Sequence, residues 1–231
     1  MTRKFALAAA LMIASAATSA SAAVVTGAIT GGTVFAAGGT FLNVAPPAAV
    51  GFDNFDDNNL RAFNEVQNLT LLSALGVDSP SSSIAVGSVI SSHLIAFDPA
   101  GAQSDPTQPT VSGFVDFDAP VLGVIWRGVT LTATNAQLGA AGVNYLTPVG
   151  FGLEQGSDFF TIAPSGNANR VGINLFSATS PGDVMRVITG RAATPPTGAV
   201  PEPATWLSMI FGFGLIGGAM RNRSARRALA A

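Results

Sequence analysis

Eight consecutive residues, Val111 to Asp118, alternate between two faces. Val111, Gly113, Val115 and Phe117 fall on one side; Ser112, Phe114, Asp116 and Asp118 fall on the other. Only extended chain repeats its side chains every second residue, so the segment reads as a strand, ended by Ala119-Pro120. The rest of residues 24–190 has the same texture. Val24–Thr30, Thr33–Val44, Ser83–Phe97, Val121–Trp126, Val129–Thr134, Asp158–Ala163, Arg170–Ser177 and Val184–Thr189 are short β-rich runs between turn signals. Ser83–Phe97 is long and is expected to bend or split near Gly87. Ala62–Leu72 is ambiguous, because Phe63–Leu69 alternates whereas Leu71–Leu75 suits a helical turn. Asn135–Gly142 reads as an Ala-rich loop or helical turn. Pro164-Ser165-Gly166-Asn167 and Ser180-Pro181-Gly182-Asp183 are turns. About eight to ten strands without a fixed repeat predict an all-β fold, an antiparallel β-sandwich with a jelly-roll-like arrangement, over residues 23–190.

Two apolar ends flank this domain. Arg3 and Lys4 precede the apolar run Phe5–Ala17, which leads to Thr18-Ser19-Ala20-Ser21-Ala22-Ala23. A basic start, a short apolar stretch and an Ala-x-Ala site describe a secretory signal peptide over residues 1–22, with Ala20 and Ala22 at the cleavage site. The run is shorter than the ~20 residues of a spanning helix. The expected partners at this end are the Sec translocon and signal peptidase. At the other end, residues 191–200 form a Pro/Thr/Ala linker. Pro201-Glu202-Pro203 comes next, and two prolines hold that tripeptide out of regular structure. Residues 204–220 carry no formal charge and suit a transmembrane helix of about 25 Å at ~1.5 Å per residue. That length is marginal for a bilayer core of ~30 Å. Trp206 would lie at the interface. Arg221, Arg223, Arg226 and Arg227 in the basic tail 221–227 would keep the C-terminus on the cytoplasmic side.

Pro201-Glu202-Pro203, Trp206, Met209-Ile210-Phe211-Gly212-Phe213-Gly214 and the terminal arginines resemble the PEP-CTERM sorting domain, in its form with a Pro-Glu-Pro-x-x-Trp start. Leu207 stands where many members carry Ala. The resemblance implies that residues 201–227 are recognised by an exosortase, a polytopic membrane enzyme, and that the helix is removed near Pro201-Glu202-Pro203. It also implies a Gram-negative host that makes exopolysaccharide. Pro201, Glu202, Pro203 and Trp206 are then recognition residues, since catalysis belongs to the exosortase. Ser92–Pro99, Val121–Ile125 and Pro181–Thr189 are similar to segments of many PEP-CTERM ectodomains, which implies a shared exported β-domain and no particular activity.

Charge limits the partners. The part between the two ends carries twelve acids against five arginines, a formal net charge of −7, and no lysine. Such a surface repels nucleic acid and suits cations. With no cysteine there is no disulfide, thiol chemistry or Cys-based metal site. Asp53-Asn54-Phe55-Asp56-Asp57-Asn58-Asn59 is the densest polar cluster. Asp53, Asp56 and Asp57 are candidate ligands for Ca²⁺, although the spacing is not that of an EF-hand and an Asx-bonded acidic turn accounts for the same residues. Asp116 and Asp118 share one face of a strand, and Glu154 and Asp158 flank Gly156. Both pairs read as ordinary solvated acids, with a glycosidase pair as the alternative. His93, the one histidine, lies beside Ser91 and Ser92 and reads as a strand residue rather than part of a triad. Trp126 and Tyr145 are candidates for stacking on sugar, although Trp126 ends an apolar strand and a core position suits it as well.

These features predict a protein that is not an enzyme and needs no cofactor. It is inserted in the inner membrane as a precursor, processed by an exosortase, and passed to the cell surface or extracellular matrix, in association with exopolysaccharide or biofilm. The alternatives are a secreted carbohydrate-binding or carbohydrate-active protein on the same scaffold, and a permanently anchored membrane protein.

Overall fold

The structure is a computed structural model that describes residues 21–100, 108–146, 151–178, 182–192 and 209–213. The chain divides into two units, Met1–Ala193 and Thr194–Ala231. In the second, residues 209–213 are helical and lie inside the expected helix 204–220, whose other residues are outside the described ones. Among the described residues, no helix is long and apolar enough to cross a membrane.

The first unit is built of strands. In chain order they are β1 (Val24–Gly31), β2 (Phe41–Asn43), β3 (Ala49–Val50), β4 (Leu60–Asn64), β5 (Leu69–Thr70), β6 (Leu75–Val77) and β7 (Ser82–Ile84). Then come β8 (Val89–Phe97), β9 (Thr110–Phe117), β10 (Val121–Ile125), β11 (Asn144–Tyr145), β12 (Phe159–Ile162), β13 (Arg170–Ser177) and β14 (Asp183–Thr189). Two helices, α1 (Thr33–Ala36) and α2 (Gly128–Leu138), interrupt the series. An outer sheet has the order β1-β9-β13-β12, and a central sheet the order β10-β14-β8-β4-β2, with β5 also pairing with β8. Neighbours are antiparallel except β2 with β4 and, in a separate small pair, β3 with β11.

The first core fills the space between the sheets. Val111, Val115 and Phe117 of β9 and Val171, Ile173 and Phe176 of β13 meet Ile95 and Phe97 of β8 and Met185 and Val187 of β14. The alternation read from Val111 to Phe117 therefore holds. In β13 the inward face changes from odd to even positions because the pairing with β9 shifts between Ile173 and Phe176, where one irregularity reverses the facing of the residues beyond it. Gly113 shares the inward parity for a steric reason: a Cβ there would lie 2.2 Å from the carbonyl oxygen of Ala28 on β1. Gly87, at φ 82°, separates β7 from β8, which is the expected break.

A second core lies on the opposite face of the central sheet. Phe63, Leu94, Ala96, Val184 and Ile188 pack there with Leu131 and Leu138 of α2. Every residue of β14 is buried. The domain is all-β in class, but a third layer covers the two-sheet sandwich.

Two expected strands are corrected. Val129–Thr134 is helix, as part of α2, because Leu131 and Leu138 stand seven apart on one helical face and both are fully buried against the sheet. Its threonines read as β-formers, yet Thr134 Oγ1 donates to the Thr130 carbonyl at 2.8 Å, one turn back. Packing overrides propensity here. Thr33–Val44 is not one strand either: α1 takes its start and β2 its end. Leu71–Leu75 forms no helical turn.

Candidate functional site

The ends of β12, β13 and β14 come together beside the start of α2. Asp78, just after β6, holds that corner. Its Oδ2 accepts the backbone N–H groups of Trp126 and Arg127 at 2.9 and 3.0 Å, and its Oδ1 accepts the Thr130 hydroxyl at 3.1 Å. A carboxylate suits a helix N-terminus, where the peptide dipoles leave partial positive charge. Trp126 is thereby fixed next to Phe160. These two rings, with Asp78, Asp158 and Phe159, line an open pocket of about 560 Å³. A second pocket, of about 300 Å³, shares Trp126, Asp158 and Phe160 and reaches Glu154.

Glu154 to Asp158 is a tight turn. The N–H groups of Ser157 and Asp158 donate to the Glu154 carbonyl, and Gly156 takes φ 96°. Asp158 is held at both oxygens, by Glu154 N–H at 2.6 Å and by Ser177 N–H, at the end of β13, at 2.9 Å. Asp183 opens β14 opposite Gly152. Glu154, Asp158 and Asp183 each present an oxygen within 4.8 Å of the others. Desolvation, then the neighbouring Asp158, pushes the Glu154 carboxyl up to about 7. Burial, then the charges of Asp158 and Glu154, raises Asp183 well above the usual carboxylate range. Among the described residues, the arginine ion pairs use other acids: Arg61–Asp57, Arg127–Asp78, Arg170–Asp116 and Arg186–Glu65. The sequence places Glu154 and Asp158 in one loop, but Asp183 only in a distant turn, and nothing in linear spacing joins it to them.

The loop expected to offer Asp53, Asp56 and Asp57 is an acidic turn packed on Asp98. Asp98 Oδ2 accepts the N–H groups of Phe55 and Asp56, and its carbonyl accepts that of Asp57. Asp53 and Asp56 take positive φ of 43° and 44°, which aspartate tolerates in turns. Burial pushes the Asp57 carboxyl up, but the Arg61 guanidinium and Asn59 outweigh it and hold it below its ordinary range. The three acids are not brought together; the clustered carboxylates are the other set.

His93 faces the space between the sheets, 4.9 Å from the Phe117 ring. Its Nδ1 contacts Asn64 Oδ1 at 2.8 Å and its Nε2 contacts Thr189 Oγ1 at 3.0 Å. Burial pushes it down to about 3, so the ring is neutral. Among the described residues, both ring nitrogens are met by neutral side chains. Tyr145 is far from being a free platform: its hydroxyl donates to Glu65 at 2.5 Å and accepts from Ala140 N–H. Burial, then the Glu65 charge, raises it above its ordinary range. Asp116 is paired at both oxygens with Arg170, at 2.6 Å each, and Asp118 accepts the Ala23 N–H at 2.6 Å. Asp116 is thus taken up by an ion pair and Asp118 by a backbone N–H group. Ala22 is buried with Ala119 and Ala192. Ala20, Pro201, Glu202, Pro203, Trp206, Arg221, Arg223, Arg226 and Arg227 lie outside the described residues.

The first unit is thus a β-rich domain with an acidic, aromatic-lined corner, and a family likeness lies at the other end of the chain. Residues 199–227 match the family model of the PEP-CTERM protein-sorting motif. The match includes Pro201-Glu202-Pro203, Trp206 and all four tail arginines. It supports an exported protein whose membrane-linked sorting in a Gram-negative bacterium runs through recognition by an exosortase. No curated protein and no solved structure matches the chain.

Proposed function

We propose that the chain is a non-enzymatic surface or extracellular-matrix protein, exported as a precursor through the inner membrane and released when an exosortase cuts near Pro201-Glu202-Pro203. The observation that carries this reading is the motif match at 199–227. A motif of extended handle, short apolar helix and basic tail parks a precursor in the bilayer with the handle exposed for cutting. The ectodomain then reaches the surface, with exopolysaccharide or biofilm as its setting. A non-enzymatic role is favoured by the fate of its nucleophile and base candidates. His93 is locked neutral in the core, and Ser91 and Ser92 accept the backbone N–H groups of Asn68 and Val66. Expression of Glu202→Ala and Pro203→Ala variants in the native host tests the reading. Full-length precursor should accumulate in the membrane fraction, and unchanged processing in both variants would overturn it.

A second reading, carbohydrate binding, rests on the corner pocket. Trp126 and Phe160 offer apolar ring faces beside Asp78 and Asp158, which suit sugar C–H faces and hydroxyls. Tyr145 drops out of it. A glycan array probed with the protein and with Trp126→Ala should show binding that the substitution abolishes; an array without binding removes this reading.

A further inference from the structure

We propose that Glu154, Asp158 and Asp183 form a divalent-cation site of the Ca²⁺ class where the ends of β13 and β14 meet. Two independent observations carry it. The three acids each place an oxygen within 4.8 Å of the others. Separately, Asp183 is only 2% exposed, and its Oδ2 is buried without a hydrogen-bond partner. Buried polar atoms are almost always paired, so an orphaned carboxylate oxygen in an acidic cluster marks the place of a missing positive group. No arginine forms an ion pair with any of the three among the described residues.

The donors decide the ion. All are carboxylates, without imidazole or thiolate, which selects a hard cation. Ca²⁺ takes oxygens at about 2.3–2.6 Å, so two ligands of one ion are at most about 5 Å apart, and the observed cluster fits within that span. Ca²⁺ also needs six to eight oxygens. Glu154 and Asp183 line a pocket of about 190 Å³ with Gln108, Ser157 and Ser177, whose side chains supply neutral oxygens, and the rest is room for water. The backbone is already set: Asp158 is pinned by N–H groups from its own turn and from β13, and Val184 N–H, next to Asp183, donates to Gly152. An ion here would tie the outer sheet, through Asp158 on the turn before β12, to the central sheet, through Asp183. The cation site is independent of the sorting reading, since it concerns the purified protein alone.

The rival occupant is a proton shared between Glu154 and Asp183. The full chain, purified in detergent and stripped with chelator, separates the two. Ca²⁺ should raise its Tm with an apparent Kd on the order of 10⁻⁴–10⁻³ M, the range of extracellular Ca²⁺ modules. Tb³⁺ in place of Ca²⁺ should luminesce on tryptophan excitation, because Trp126 lines a pocket with Glu154 and Asp158, and Trp126→Phe should quench it. Glu154→Gln, at an exposed position, should weaken the Ca²⁺ response on the order of tenfold without lowering the Tm in chelator. Asp183→Asn should abolish the response while melting in chelator at or above the wild-type temperature. Asp53→Asn/Asp56→Asn should keep it in full. A wild-type Tm indifferent to millimolar Ca²⁺ would overturn the site, as would an undiminished response in Glu154→Gln and Asp183→Asn.

Discussion

Replacing either partner of the buried Arg186–Glu65 pair should be among the most damaging single substitutions in the domain. Both side chains are wholly excluded from solvent. Arg186 Nε and Nη2 donate to the two Glu65 oxygens at 2.6 and 2.9 Å. Its remaining donors reach Thr134 Oγ1 at 2.9 Å and Asn135 Oδ1 at 3.0 Å on α2. Glu65 in turn accepts the Tyr145 hydroxyl. The pair therefore fastens α2 and Tyr145 to the central sheet. Arg186→Met or Glu65→Leu leaves one charge buried without its counter-ion, which costs about 3–5 kcal/mol. In a domain of this size that lowers Tm by about 6–20 °C. Glu65→Leu/Arg186→Met removes both charges and leaves only the neutral partners unmatched, at about 1 kcal/mol for each lost hydrogen bond. The double variant should thus be more stable than either single one. Urea unfolding followed by tryptophan fluorescence gives all four stabilities. Single losses below about 1 kcal/mol, or a double loss equal to their sum, would refute this account of the network.

Three further outcomes are expected. His93 is neutral in the fold but takes up a proton in the unfolded chain below about pH 6.5, so stability falls as pH drops from there towards 3. Between pH 8 and pH 5 this amounts to about 2 kcal/mol. The loss should be missing from His93→Gln, and the difference between the two pH profiles cancels the opposite slope from carboxyls with raised values, such as Glu154. Cleavage after Ala22 would make the Ala23 nitrogen an ammonium beside the exposed Asp118, so Asp118→Asn should cost up to about 1 kcal/mol in the mature protein and less in a form that keeps residues before Ala23, by urea unfolding of both. Gly113→Ala should destabilise by more than about 1 kcal/mol, since its Cβ would collide with the Ala28 carbonyl and force β1 away from β9. Thermal melting checks it, and a neutral outcome would mean that β1 yields easily.

Much of the fold is legible where alternation or turn chemistry is strong. The observed bounds of β13 are those read from the sequence, and Gly87 parts β7 from β8 as expected. Legibility ends where tertiary packing decides. Val129–Thr134 has strand-like residues, and only the sheet beneath Leu131 and Leu138 makes it a helix. The third layer was written in β14, whose residues Val184–Ile188 are apolar on both parities apart from Arg186, a pattern of a strand buried on both faces. Arg186 masks it, because its partner Glu65 lies 121 residues away. The acidic site fails for a related reason. Asp53, Asp56 and Asp57 are close in sequence, but Asp57 is taken up by Asn59 and Arg61 and the three are not brought together, whereas Asp183 joins Glu154 and Asp158 only when β14 lies beside the turn before β12. The sorting signal is the opposite case: its meaning is carried by consecutive residues, and the motif match at 199–227 reaches it directly.

Processing at both ends is read from the intact mass of the protein recovered from its own host, measured separately from membranes and from the medium. Exosortase processing should leave a membrane precursor retaining the Arg221–Arg227 tail and a surface or medium form lacking both ends, cut near Ala22 and near Pro201-Glu202-Pro203. A surface form that retains residues 204–231, with only the N-terminal segment lost, would contradict it and make the C-terminal helix a permanent anchor.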